Sequence, residues 1–184
     1  KMRIPGLGAQ VLSEMGVTVQ TLAGGEIYTA LERGVVDAAE WVGPYDDVKL
    51  GFHEIAKYYY YPGWWEPGPN LSLYVNRRAW DRLGSEDQAA VTAAAAEANV
   101  TMQARYDALN PPALQRLLAK GVELRPFTDD VMKAAHDTAF ELMNQLASND
   151  PSYRKVFDGW QKFRADSQNW FARAELSVAS FRAG

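Results

Sequence analysis

The chain has 184 residues, 47% of them hydrophobic, which is enough to bury a sizeable core and too apolar for a disordered segment. A formal net charge of -4, without a basic block, argues against nucleic acid or an anionic membrane as the main partner. The absence of cysteine removes disulfides, thiolate zinc sites and a cysteine nucleophile together.

The opening "KMRIPGLG" lacks signal-peptide architecture, and no apolar run reaches membrane-spanning length. A start on Lys1 that runs straight into strand-like "MRI" reads as the later part of a longer protein, with any export signal upstream. Residues 5–16 predict a helix with Val11, Leu12 and Met15 on one face and Gly16 as its stop. Residues 17–22 alternate as a strand, 24–34 form a helix closed by Gly34, and 35–41, "VVDAAEW", form the next strand. This is the βαβ rhythm of a sheet covered by helices.

A turn, "VGPYDD", and a short segment at 48–56 lead into "KYYYYPGWWEPGPN", which proline and glycine break repeatedly. "LSLYVN" at 71–76 predicts another alternating strand, ending in Asn76 and Arg77-Arg78 at a hinge. Residues 1–84 therefore read as one α/β lobe. From Ser85 the pattern turns to long helices. Ser85 with Gln88 predicts a capping box, and apolar residues recur at helical spacing until Pro111-Pro112 kinks or stops the run at the end of a connecting stretch, 85–120. Gly121 predicts a C-cap. The strand at 121–127, "VELRPF" with its leading Gly, is expected to join a sheet in an absent first lobe, since an unpaired buried edge leaves amides and carbonyls unsatisfied. Residues 128–184 predict the C-terminal helices, the first capped by Thr128 and the last started by Asp150-Pro151.

Chemistry-bearing residues are few. His53 and His136 lie far apart in sequence and without a local Ser-His-Asp pattern, so each is assigned a structural or surface role. Glu40 and Glu66, each beside a tryptophan, are open to two readings from residue type: a glycosidase-like acid pair, or solvated loop acids. The tyrosines and tryptophans of 58–65 also suit a sugar-stacking platform, although alternation sends only about half of them to any one face. Asp46 and Asp47 read as helix-start residues favoured by the helix dipole.

The segments "KMRIPGLG", "AGGEIYTALERGVVDAAEWVGPYDD" and "YYYYPGWWEPGP" closely resemble the extracytoplasmic solute receptors of TRAP transporters, in the branch that binds 2-oxo and 2-hydroxy monocarboxylates with a metal cation. The likeness spans nearly the whole chain; "DAAEWVGPYDD" with "YYYYPGWWE" is its specific part. It implies an α/β, periplasmic-binding-protein-like fold, represented here by the second lobe plus long connecting and C-terminal helices, with the first lobe largely absent. By the same resemblance Arg3 clamps the substrate carboxylate, as a planar guanidinium does bidentately. Glu40, the Trp41 carbonyl and Glu66 are implied as cation ligands that also meet the substrate, and a further glutamine ligand would lie outside the chain. The implied ion is hard, sodium ahead of calcium, and separates carboxylates that would otherwise repel.

The resemblance further implies a non-enzymatic periplasmic receptor, without redox or group-transfer cofactors, whose partners are a small monocarboxylate and the TRAP membrane subunits. The last helix carries Trp160, Phe163, Trp170, Phe171 and Phe181, more aromatic surface than a lone helix can bury, so it is expected to pack on the lobes or on a second chain, a homodimer through it being one outcome. The chain by itself is expected to bind poorly, with half its site elsewhere.

Overall fold

The structure is a computed structural model that describes residues 1–68 and 71–182; the end of the predicted "PGPN" break and of the last helix lie outside them. The chain divides into two compact units, Lys1–Met132 and Lys133–Gly184, each described by itself.

In the first unit β1 (Met2–Arg3), α1 (Gly6–Glu14), β2 (Val19–Gln20), α2 (Gly24–Glu32) and β3 (Ala38–Ala39) alternate as the sequence predicts, although the strands are only two residues long. The sheet order is β2-β1-β3, all parallel, with Met2 opposite both Val19 and Ala38. Ile4, Val11, Leu12, Ile27, Ala30 and Val36 are buried, so the apolar faces of both helices close onto this small sheet. Gly16 and Gly34 follow their helices with φ of 86° and 68°, conformations that only glycine adopts without strain.

Helix α3 (Pro44–Lys49), a 3-10 turn at Phe52–Glu54 and β4 (Tyr58–Tyr61) come next. The predicted strand at 71–76 does not form. Its residues have no regular structure, and Leu71, Leu73 and Tyr74 are exposed, because alternation specifies a strand only where a neighbouring strand accepts its hydrogen bonds. Asn76 instead caps the short helix α4 (Arg77–Trp80), accepting from the Ala79 amide at 3.2 Å.

The long helix α5 (Ser85–Ala119) corrects two expectations. Gly84, in an extended conformation, takes the N-cap position, which moves Ser85 into the first turn and dissolves the capping box. Gln88 then donates to the Trp80 carbonyl at 2.9 Å. The helix also continues through Pro111-Pro112, which overturns a stop there but not a kink, with Ala113 and Leu117 fully packed beyond them. Burial on this side offsets the two missing amide donors. Gly121, at φ 88°, ends the element as predicted.

Strand β5 (Glu123–Pro126) pairs in parallel with β4 across all four residues of each, Tyr58 opposite Glu123. Against the expectation for 121–127, one edge of this strand is therefore satisfied inside the chain, and a sheet elsewhere concerns its other edge only.

In the second unit, α6 (Asp129–Asn149, entering from the first unit's last residues) packs Ala135 and Ala147 inward. Asp150 caps α7 (Pro151–Arg173) as predicted, accepting from the Ser152 and Tyr153 amides. Phe157 is buried and stacks on Trp160, which in turn stacks on Phe140. The predicted single last helix breaks at Ala174, with α8 (Glu175–Arg182) following.

Candidate functional site

The chain leaves β1 through α1 for one neighbour and comes back through α2 to the other, so strand order reverses at β1. In parallel sheets the crevice beyond the carboxyl ends at such a reversal is where ligands bind. Arg3 ends β1 and Glu40 follows β3, so both stand at that crevice. A depression of about 410 Å³ opens there, lined by the β1-to-α1 turn (residues 4–8) together with Glu40, Trp65 and Glu66. The amides that open α1 have no side-chain cap.

Arg3 is 6% exposed and anchored on three sides. Its Nε donates to the Leu22 carbonyl at 3.0 Å, and its Nη1 donates both to the Glu40 carbonyl at 3.0 Å and to Glu40 Oε1 at 2.5 Å. Nη2 has no partner among the described residues and is not sealed from solvent. One edge of the fork is thus fixed and the other is available. The Trp41 ring covers the guanidinium, its centroid 5.3 Å from Cζ. That ring rests on Gly24, where a Cβ would stand 2.5 Å from the indole Cη2.

Glu40 is buried, and burial pushes its carboxyl above the usual range; the Arg3 guanidinium pulls it down, the Glu66 charge pushes it up again and the Trp65 indole N–H opposes that. Two carboxylates thus share one depression closely enough to feel each other, with a single guanidinium between them and full repulsion. Oxygen donors of this kind suit a hard cation. Among the described residues no group of three or more His, Asp or Glu side chains is placed to hold a metal, so carboxylates alone do not complete a shell. The Trp41 side chain does not line the depression; its contact is with Arg3.

Trp65 is the residue that sequence reasoning left unassigned. It lies against the α1 start, where a Cβ on Gly8 would stand 3.0 Å from the Trp65 Cβ, and edge-on to Phe127 at 6.0 Å, directly after β5. Its place next to Glu66 was the available signal. The four tyrosines of β4 do not line the depression, and neither histidine does: His53 Nε2 lies 2.8 Å from Lys120 Nζ, and His136 tilts against Phe140.

Asp46 and Asp47 do stand in the first turn of α3, but they differ in kind. Asp46 meets Lys49 and the Tyr106 hydroxyl. Asp47 is 5% exposed, accepts from the Gly43 amide at 3.3 Å and from the Tyr59 hydroxyl at 2.5 Å, and burial pushes its carboxyl up to about 6. It is an interior tie as well as a helix-start residue.

The profile of the bacterial extracellular solute-binding proteins of family 7 (DctP) matches residues 1–150. The chain belongs to this family. It is 53% identical, over 98% of its length and 50% of the relative's, to a Nostoc protein described as a monocarboxylate 2-oxoacid-binding periplasmic protein. Among solved family structures, a TRAP transporter solute-binding protein of Bordetella bronchiseptica is 43% identical with a TM-score of 0.96, covering 99% of this chain and 54% of that one; its crystal is a mixed-occupancy dimer with calcium and picolinate in one site. A Pseudoalteromonas atlantica protein with bound sodium and pyruvate is 35% identical with a TM-score of 0.92, covering 97% and 55%. The chain spans about half the length of the relatives it matches.

Proposed function

We propose that the protein carrying this sequence is a non-enzymatic extracytoplasmic receptor of a TRAP transporter, capturing a small 2-oxo or 2-hydroxy monocarboxylate together with a hard cation. The observation that carries this reading is that Glu40 and Glu66 line one depression at the strand ends, with Arg3 paired to Glu40 behind it. Arg3, fixed through Nε and Nη1, offers Nη2 to a substrate carboxylate. Glu40, Glu66 and the Trp41 carbonyl would hold the cation, which lowers the cost of placing a carboxylate beside two others. Calcium and sodium both accompany small carboxylates in similar proteins, which supports the donor chemistry for either ion.

The same geometry disfavours the glycosidase-like reading. Glu40 Oε1 is committed to the Arg3 guanidinium in a buried ion pair rather than open to a glycosidic oxygen, and the similar proteins described above bind small carboxylates with a cation. A receptor of this kind acts outside the cytoplasm and hands its cargo to the TRAP membrane subunits.

Calorimetric titration of the protein carrying this sequence with pyruvate, lactate and neutral sugars, in sodium, in calcium and in chelator, tests the proposal. Heat from the 2-oxo or 2-hydroxy acids that depends on the cation is the expected result. Binding of sugars alone, or hydrolysis of any of them, would overturn it.

A further inference from the structure

The two proposed carboxylate ligands arrive on different segments. Glu40 opens the 40–43 stretch that precedes α3, and Glu66 ends the 62–66 stretch that follows β4. Asp47 is bonded to the first and to β4, the strand that leads into the second. Its Oδ1 accepts from the amide of Gly43, three residues past Glu40, and its Oδ2 accepts from the hydroxyl of Tyr59, seven residues before Glu66. The backbone is nearly fully extended at Gly43, with φ of 157° and ψ of 179°, and the Tyr45 amide two residues on is held by Asn110 Oδ1 of α5 at 3.0 Å. The far end of the second stretch is also held, by Trp65 against Phe127. A helix-start carboxylate needs only solvent and the helix amides. This one is withdrawn from water and spends one oxygen on the N-cap amide of its own helix and the other on a hydroxyl of β4, at a desolvation cost that an exposed aspartate avoids.

We infer that Asp47 is a positioning residue for the site proposed above: by joining Gly43 to Tyr59 it sets the separation of Glu40 from Glu66, and with it the size of cation the two accept. The inference rests on that functional reading; Asp47 itself touches neither substrate nor ion. A buried acceptor with two donors holds its neighbours in one arrangement, whereas its loss strands both donors.

Asp47→Ala, Asp47→Asn and Tyr59→Phe separate this from a general role in stability. Asparagine keeps a carbonyl for the Gly43 amide and offers an N–H to the Tyr59 oxygen, so it should restore what alanine removes. Hydrogen exchange, read without ligand, should quicken in both 40–43 and 62–66 in Asp47→Ala by about tenfold or more, stay within about threefold of the parent in Asp47→Asn, and quicken chiefly in 62–66 in Tyr59→Phe. In calorimetry Asp47→Ala should weaken cation-dependent pyruvate binding about tenfold and shift the sodium-to-calcium preference, but cost less than about twofold in a Glu66→Gln background. A cost equally large in that background, or exchange unchanged in either segment in both Asp47→Ala and Tyr59→Phe, overturns the inference. If Asp47→Ala does not fold, Tyr59→Phe decides. If the parent takes up no monocarboxylate in any cation, the functional reading falls while the exchange measurements still decide whether Asp47 is the brace.

Discussion

Under the proposed function, one side chain, Arg3, is structural and receptive together. Its three hydrogen bonds to described residues use Nε and Nη1, two of them to main-chain carbonyls, which leaves Nη2 for the proposed solute. Lysine keeps the charge but cannot span Leu22 and Glu40 while presenting a further donor. Arg3→Lys is therefore expected to weaken monocarboxylate binding by about 1.5–3 kcal/mol, the scale of a charge-assisted hydrogen bond, in calorimetric titrations. Glu66 is exposed where Glu40 is buried, so Glu66→Gln should leave the fold intact while weakening cation and substrate together. Lost substrate affinity with unchanged cation dependence would remove Glu66 from the proposed ion site. At this scale the motifs around Arg3, Glu40 and Glu66 were legible because each is written in contiguous sequence. Trp65 and Asp47 were not, because their roles come from Phe127, Gly8 and Tyr59, which no local pattern brings to them.

Among the elements, those defined by their own residues were readable: α1 and α2 with their glycine stops, and the Asp150 cap of α7. Those that depend on a distant partner were not, as the unformed strand at 71–76 and the pairing of β4 with β5 both show. Helix α2 gives a test of packing on the site. A methyl group at Gly24 would meet the Trp41 ring, so Gly24→Ala should displace the indole from Arg3, changing tryptophan fluorescence and weakening carboxylate binding about tenfold, within the range of a lost buried contact. Helix α3 gives a pH prediction. Burial raises the Asp47 carboxyl to about 6, above its usual 3.8, so its contribution to stability is fully present below pH 4 and is lost as pH rises through 6. Relative to Asp47→Asn, the parent should gain about 2–3 kcal/mol in urea unfolding on going from pH 7 to pH 4, because each pH unit between its folded and unfolded titrations is worth about 1.4 kcal/mol. Measuring the difference between the two removes the opposing effect of Asp37, Asp46 and Glu123, whose partners hold them low.

At the scale of the molecule, the second unit is unfinished on its outer side. Phe163 is 71% exposed and Trp170 66%, on a helix whose inner face is already occupied by Phe157. Patches of this sort mark interfaces between chains. These aromatics serve packing on the rest of the protein or on a second copy: sedimentation velocity of the protein carrying this sequence, at micromolar concentration, decides, a dimer that returns to monomer in the double variant Phe163→Glu, Trp170→Glu marking the second copy and monomer alone in the parent ruling it out.

The parallel ladder of β4 and β5 also sets an order of events. Tyr58 pairs with Glu123, so the strand leading to Glu66 finds its partner only after α5 lies between them in the growing chain. Arg3 ends and Glu40 follows strands of the β2-β1-β3 sheet, whose described pairings are all made by residue 39 through local βαβ contacts that close early and at little entropic cost. During synthesis, then, the arginine and its buried acid are in place well before the second carboxylate is fastened opposite them. The depression between Glu40 and Glu66 is thus a late feature of the first unit.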